Sequence, residues 1–138
     1  MEVCPIKIPI KSAKKDVILF LQQIKNIIEQ EDFNIAQDFQ MITSRKADMK
    51  YSTPYTLIDL EYDVENVIQV IGSLTIEDYS QSLIDNDNSL PPLLFVFGKN
   101  INNKEVYIKL KIKEQLRKYI LCVSFHYAEH QMPHPSAY

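Results

Sequence analysis

Hydrophobic positions change period along the chain, from helical spacing in the first half to strict alternation in the last third. Val17, Phe20, Leu21, Ile24, Ile27 and Ile28 recur at three- and four-residue spacing, which predicts an amphipathic helix over 13–31 capped by Ser12. The stretch from Phe33 to Asp38 reads as a connection, and Phe39, Met41 and Thr43 alternate ahead of the basic pair Arg45 and Lys46, predicting a short strand. Ser52, Thr53 and Pro54 have the polar-cap-then-proline order of a helix start, and Asp63 is placed to cap a further helix containing Val64, Val67, Ile68, Ile71 and Leu74. Thr75 and Asp78 form a capping-box pair that should open a short helical turn carrying Tyr79.

From Ser82 the segment SLIDNDNSLPP is polar, acidic and ends in two prolines, so it reads as a loop. Leu93 to Phe97, Val106 to Ile112 and Ile120 to Phe125 then read as strands, joined around Asn102 and Asn103 and around KEQLRK. Both connections are short enough for antiparallel hairpins. The tail after Tyr127 contains Pro133 and Pro135 and should cross the sheet as irregular chain. The expected architecture is one α+β domain over residues 1–138, with N-terminal helices packed on a small antiparallel β-sheet.

Composition narrows the function classes. A chain of 138 residues with 46% hydrophobic and 24% charged residues can hold one core without metal or disulfide staples. Only 2 of its residues are Gly, which removes every glycine-rich phosphate loop and with it dinucleotide enzymes and P-loop NTPases. Cys4 and Cys122 lie at opposite ends, and MEVCPIKIPIKSAKKD holds no apolar stretch of the signal-peptide kind. The apolar runs Val17 to Leu21 and Leu93 to Phe97 are too short to span a bilayer. A cytoplasmic protein with no membrane partner and no cofactor is expected. The net charge of -3 conceals a segregation: residues 58–90 carry no Lys or Arg against 8 Asp and Glu, while residues 91–138 carry 7 against 3. A solvated acidic face beside a basic sheet accounts for this, and so does a basic surface built to meet a polyanion.

The strand EVYIKLKIK sets Val106, Ile108, Leu110 and Ile112 on one face and Tyr107, Lys109, Lys111 and Lys113 on the other. Lysines on a strand face are commonly solvated or guard an edge. A tyrosine among them adds what RNA-binding sheets use, an aromatic ring for a base beside cations for phosphate. His126 closes the last strand, where alternation sets it opposite Leu121, Val123 and Phe125 and within reach of solvent. Its imidazole is the best single proton carrier in the chain. His126, Glu129 and His130 also spell HxxEH, a zinc-peptidase spacing, but that chemistry needs a helix and this segment leaves a strand for a proline-containing tail. No metal site is therefore expected, and metal binding stays a minor alternative. Even spacing would put Cys122 and His126 on one face about 13 Å apart, too far for a nucleophile and its base.

Several blocks, taken in order, resemble the MqsR-type RNA-cleaving toxins of bacterial type II toxin-antitoxin systems, which share a RelE-like fold. They are FQMITSRKA at 39–47, VENVIQVIGSLTIEDY at 64–79, an acidic loop, FVFGK at 95–99, EVYIKLKI at 105–112 and CVSFHYAE at 122–129. The resemblance implies a metal-independent, sequence-selective endoribonuclease (an mRNA interferase) whose partners are substrate RNA and a cognate antitoxin protein. It places the tyrosine near the scissile phosphate on Tyr107 and the basic residue closing the last strand on His126. Lys109 is the cation expected to stabilise the phosphorane. Lys99, Lys111, Arg45, Lys46, Tyr79 and Gln81 are the expected RNA contacts. Two positions depart from the pattern: many members carry lysine where this chain has Gln81, and a strand glutamine falls near Leu94. The alternative from another class is a non-catalytic RNA- or protein-binding module on the same fold. A homodimer through the sheet edge is left open.

Overall fold

The structure, a computed structural model, describes residues 7–43, 48–85 and 93–135. Arg45, Lys46 and the acidic loop beyond Asp85, with Asp87, lie outside the described residues, as does Cys4. In chain order the elements are β1 (Lys7–Ile10), α1 (Lys14–Glu29), α2 (Ile35–Asp38), β2 (Phe39–Met41), α3 (Thr53–Leu60), α4 (Val64–Gly72), β3 (Tyr79–Asp85), β4 (Leu94–Ile101), β5 (Lys104–Glu114) and β6 (Lys118–Tyr127). The fold is α+β. Its six-stranded sheet has the order β1-β3-β4-β5-β6-β2 and is antiparallel except where β2 lies parallel to β6. Among the described residues no helix is long and apolar enough to cross a membrane.

The helices form where capping and periodicity agree. Ser52 caps α3 through the Tyr55 N–H, with Pro54 in the first turn. Asp63 and Asn66 exchange side-chain-to-backbone bonds of 2.9 Å at the start of α4, a reciprocal cap worth about 1 kcal/mol. The buried stripe of α1 joins α4 and the strands in one core. Phe20 stacks on Phe95 with ring centroids 4.0 Å apart, and Tyr79 meets Phe97 edge-on at 5.9 Å. Such aromatic pairs add about 0.5–1.5 kcal/mol each beyond the area they bury.

Several expectations are corrected here. Ser12 does not cap α1: Ala13 holds the cap position without a side-chain bond. The Ser12 hydroxyl instead lies 2.6 Å from Ser82 Oγ, and its N–H donates to Tyr79 Oη at 2.9 Å. A buried polar trio thus ties the β1–α1 junction to β3, and each member satisfies the others in a place water does not reach. Thr75 and Asp78 do form their box and start a 3-10 turn, Ile76–Asp78, but Tyr79 begins a strand. SLID belongs to β3 rather than to a loop, because β1 and β4 supply backbone partners on both sides. Pro9 is tolerated in β1 because that strand is an edge. The expected connection at 33–38 contains α2, capped by Asn34.

The hairpins are as expected. Asn102 and Asn103 have φ of 53° and 67°, the left-handed pair that a two-residue turn between twisted strands requires. Within the β5–β6 turn, Arg117 reaches back to α2. Its Nε lies 2.9 Å from Oδ1 of Asp38, whose side chain is fully buried, and its Nη1 lies 3.0 Å from Asp32. Asp38 also accepts from the Asn34 N–H at 2.8 Å.

Replacing Arg117 with Ala would remove the cation from the buried Asp38 carboxylate and leave it the Asn34 N–H alone, and we expect a lower urea midpoint. An unchanged urea midpoint would contradict this. Alkaline pH gives a second expectation. Burial pushes the Cys122 thiol from 9.0 up to about 12, and burial together with the Asp59 carboxylate pushes the Tyr127 phenol from 10.0 up to about 12. The unfolded chain releases these protons first, so the stability they contribute is complete below about pH 9 and is lost as pH rises toward 12. Urea midpoints that stay level across that window would show that these groups are not sequestered.

Candidate active site

Strand β5 has two chemically distinct faces. Val106, Ile108 and Leu110 are fully buried in the core shared with the helices. Glu105, Tyr107, Lys109 and Lys111 occupy the other face, which the period of a strand makes unavoidable. The neighbours complete that second face. On one side Gly98 stands opposite Tyr107, and Val96 opposite both Lys109 and Gln81. On the other, His126 pairs with Tyr107 and Ser124 with Lys109.

The face of His126 depends on one inserted residue. Register shifts between Lys109 and Leu110, whose partners are Ser124 and Cys122, so Val123 is a bulge. Leu110 and Cys122 therefore face the helix-side core, while Leu121, opposite Lys111, is on the same face as His126, and Val123 packs there beside Tyr107. This corrects the expectation that His126 lies opposite Leu121 and Val123. It also removes Cys122 from His126 more firmly than distance would, since they are on opposite faces.

Tyr107 and His126 form the centre of the site. Their rings stack with centroids 5.1 Å apart and planes within 9°. His126 Nδ1 lies 2.9 Å from the Tyr127 carbonyl oxygen. A carbonyl only accepts, so Nδ1 carries the proton, and in the neutral ring the lone pair is on Nε2. That is the state a general base needs. Burial raises the Tyr107 phenol above its ordinary value, so it is a neutral donor at physiological pH and not a phenolate. The Lys109 ammonium sits 5.9 Å from the centre of the Tyr107 ring, within range of cation–π attraction.

These groups line a cleft of about 280 Å³ whose walls include Gln81, Ser80 and Ser124 and, on one side, the tail from Ala128 to Pro133. The tail crosses the sheet as expected, but closer than expected: His126 is only 4% exposed, not open to solvent. Met132 packs with Leu83, Leu94 and Val96 in a second, smaller apolar cluster. A larger hollow of about 620 Å³ lies at the β5–β6 turn beside β2. Its charged group, Arg117, is occupied by Asp32 and Asp38.

Of the residues expected at the site, the structure brings together His126, Tyr107, Lys109 and Gln81. Lys111 is on the same face, opposite Leu121. Tyr79 and Lys99 are elsewhere. Tyr79 is fully buried in the helix-side core, and Lys99 pairs with Asp78 at 3.5 Å on the face away from Tyr107. Leu94 is packed in the second cluster and offers no polar group. Glu129 and His130 are exposed, and among the described residues no three His, Cys, Asp or Glu side chains converge to hold a metal ion. Sequence reasoning did not foresee the contact between Glu105 and His134, which fastens the tail at a distance of 29 positions. Only a chain known to fold back on itself would have signalled that pair. No protein-family model, curated protein or solved structure matches this chain.

In a spectrophotometric alkaline titration, Tyr107→Phe should remove one tyrosine that ionises above the ordinary range and leave the earlier steps in place. Loss of an early step instead would mean that Tyr107 is solvated.

Proposed function

We propose that this chain is a metal-independent, sequence-selective endoribonuclease toxin of the MqsR type, with a RelE-like arrangement of helices on its sheet, held in check in the cytoplasm by an antitoxin protein. The observation that carries the reading is the stacked Tyr107–His126 pair beside Lys109 on one sheet face. It combines a proton carrier, a fixed cation and an aromatic surface, which are the groups needed to cut RNA through its own 2′-OH. His126 Nε2 takes the proton from the 2′-OH as the oxygen attacks the adjacent phosphorus. The P–O5′ bond breaks, the 5′ oxygen leaves and takes a proton from water, the His126 imidazolium returns its proton to the hydroxide so formed, and the products are a 2′,3′-cyclic phosphate and a free 5′-OH. Lys109 supplies positive charge where the phosphorane builds negative charge. Tyr107, neutral, orients a phosphate oxygen or stacks on a base.

A second reading is a non-catalytic module that binds RNA or protein through the same face. Gln81 and Leu94 favour it, since neither supplies the cation or strand amide that the resemblance would place there.

Purified chain incubated with mixed-sequence RNA and a chelator separates the two. The nuclease reading expects cuts ending in 2′,3′-cyclic phosphate, and a rate lower by about 10² or more in His126→Ala. RNA bound without cuts would support the second reading, and an undiminished rate in the variant would take His126 out of the mechanism.

A further inference from the structure

The tail that follows β6 is fastened across the site at several points, three of which meet on Glu105. The Glu105 carbonyl accepts from the Ala128 N–H at 2.9 Å. Its carboxylate accepts from the Met132 N–H at 3.1 Å and lies 2.8 Å from His134 Nε2. His134 Nδ1 in turn lies 3.2 Å from the Tyr79 carbonyl. Met132 is 8% exposed, packed onto the second apolar cluster.

The sheet is shaped to let the tail lie this close. A Cβ built on Gly98, the partner of Tyr107, would come within 2.9 Å of Glu105 Oε2 and of Met132 Sδ, and within 3.0 Å of His134 Cε1. The φ of Gly98 is not positive, so its backbone does not demand glycine. The close passage of the tail does. By contrast Glu129, His130 and Gln131, between the fastened points, are exposed. The segment is thus pinned at its ends and by one side chain, with little apolar area holding its middle.

We propose that residues 128–135 form an autoinhibitory strap, which closes the His126 cleft in the free chain and must swing off Glu105 before RNA can enter. The inference rests on the reading of this cleft as the RNA site, and it names the regulation of that site. An RNA phosphate flanked by bases cannot reach His126 while the imidazole is 4% exposed and the strap forms one wall. The fraction of molecules with the strap open then scales the apparent affinity for RNA.

Diethyl pyrocarbonate reads the strap directly in the full-length chain, because it acylates accessible neutral imidazoles, and peptide mass mapping assigns the rate at each histidine. His130 is the internal standard for an exposed ring. In the unmodified chain His126 should react slower than His130 by about tenfold or more, the fraction open being small. Two variants release the strap by different routes: Glu105→Ala removes the clasp, and Gly98→Ala inserts a methyl group beneath Met132 and His134 without deleting any contact. Each should raise the His126 rate severalfold toward that of His130, with cooperative unfolding retained, and should tighten binding of a single-stranded RNA oligonucleotide.

Equal rates at His126 and His130 in the unmodified chain would overturn the strap, as would a His126 rate that neither variant changes. The function is tested separately. If the variants free His126 but RNA neither binds nor is cut, the strap stands as a lid and the nuclease reading falls. If RNA is cut while the variants leave His126 unchanged, the nuclease reading stands and the strap falls.

Discussion

The register of β5 against its two neighbours is the constraint on which the rest of the molecule depends. A strand buried on one face by Val106, Ile108 and Leu110 must present Tyr107 and Lys109 on the other. Pairing with β6 then fixes what stands beside them, and a shift of one residue would send His126 into the helix-side core and Phe125 out of it. The bulge at Val123 reconciles two demands. Cys122 and Ile120 must fill the core below Leu110 and Ile112, while His126 must stand opposite Tyr107, and one inserted residue lets the strand satisfy both.

Helix-side burial and site-side chemistry are therefore mechanically coupled. On one side of the sheet, Phe20 against Phe95 and the Ser12, Tyr79 and Ser82 trio hold α1 and β1 to the strands. On the other, a much smaller apolar cluster is completed by Met132 of the tail. This asymmetry separates stability from function. The first face can fix the strands rigidly enough to hold the Tyr107–His126 stack, while the second is covered by a segment whose attachment is mostly polar. Lys109 is half-buried, which strengthens its attraction for a phosphate that enters the cleft, because charges interact more strongly where the dielectric is lower.

Much of this was legible in the chain itself, for reasons that can be named. The alternation of EVYIKLKIK survives as β5 because each side chain meets a uniform environment, core or site. Ser52, Asp63 and the Thr75–Asp78 box act locally, so their signals needed no tertiary knowledge. What was not legible is what distant chain supplies. SLID looks like a loop until β1 and β4 are placed on either side of it. Ser12 looks like a cap until Tyr79 and Ser82 arrive. An extra residue in β6 leaves no mark in an apolar run, so counting by twos put Leu121 and Val123 on the wrong side. The burial of His126 was invisible because it depends on neighbours that only the fold supplies, the stacked Tyr107 ring and a cleft that the aperiodic tail helps to wall.

The central claim is that His126 and Lys109 together receive an RNA phosphate. The most direct test is heteronuclear NMR of the full chain with labelled histidine and lysine, as a 2′-O-methyl RNA oligonucleotide, whose blocked 2′ oxygens prevent cleavage, is added. The account predicts that the His126 Nε2 and Lys109 Nζ resonances move together at one saturating stoichiometry, with the Nδ1 proton of His126 retained. Saturable binding that shifts residues beside β2 and the β5–β6 turn, while these two side chains stay still, would contradict it.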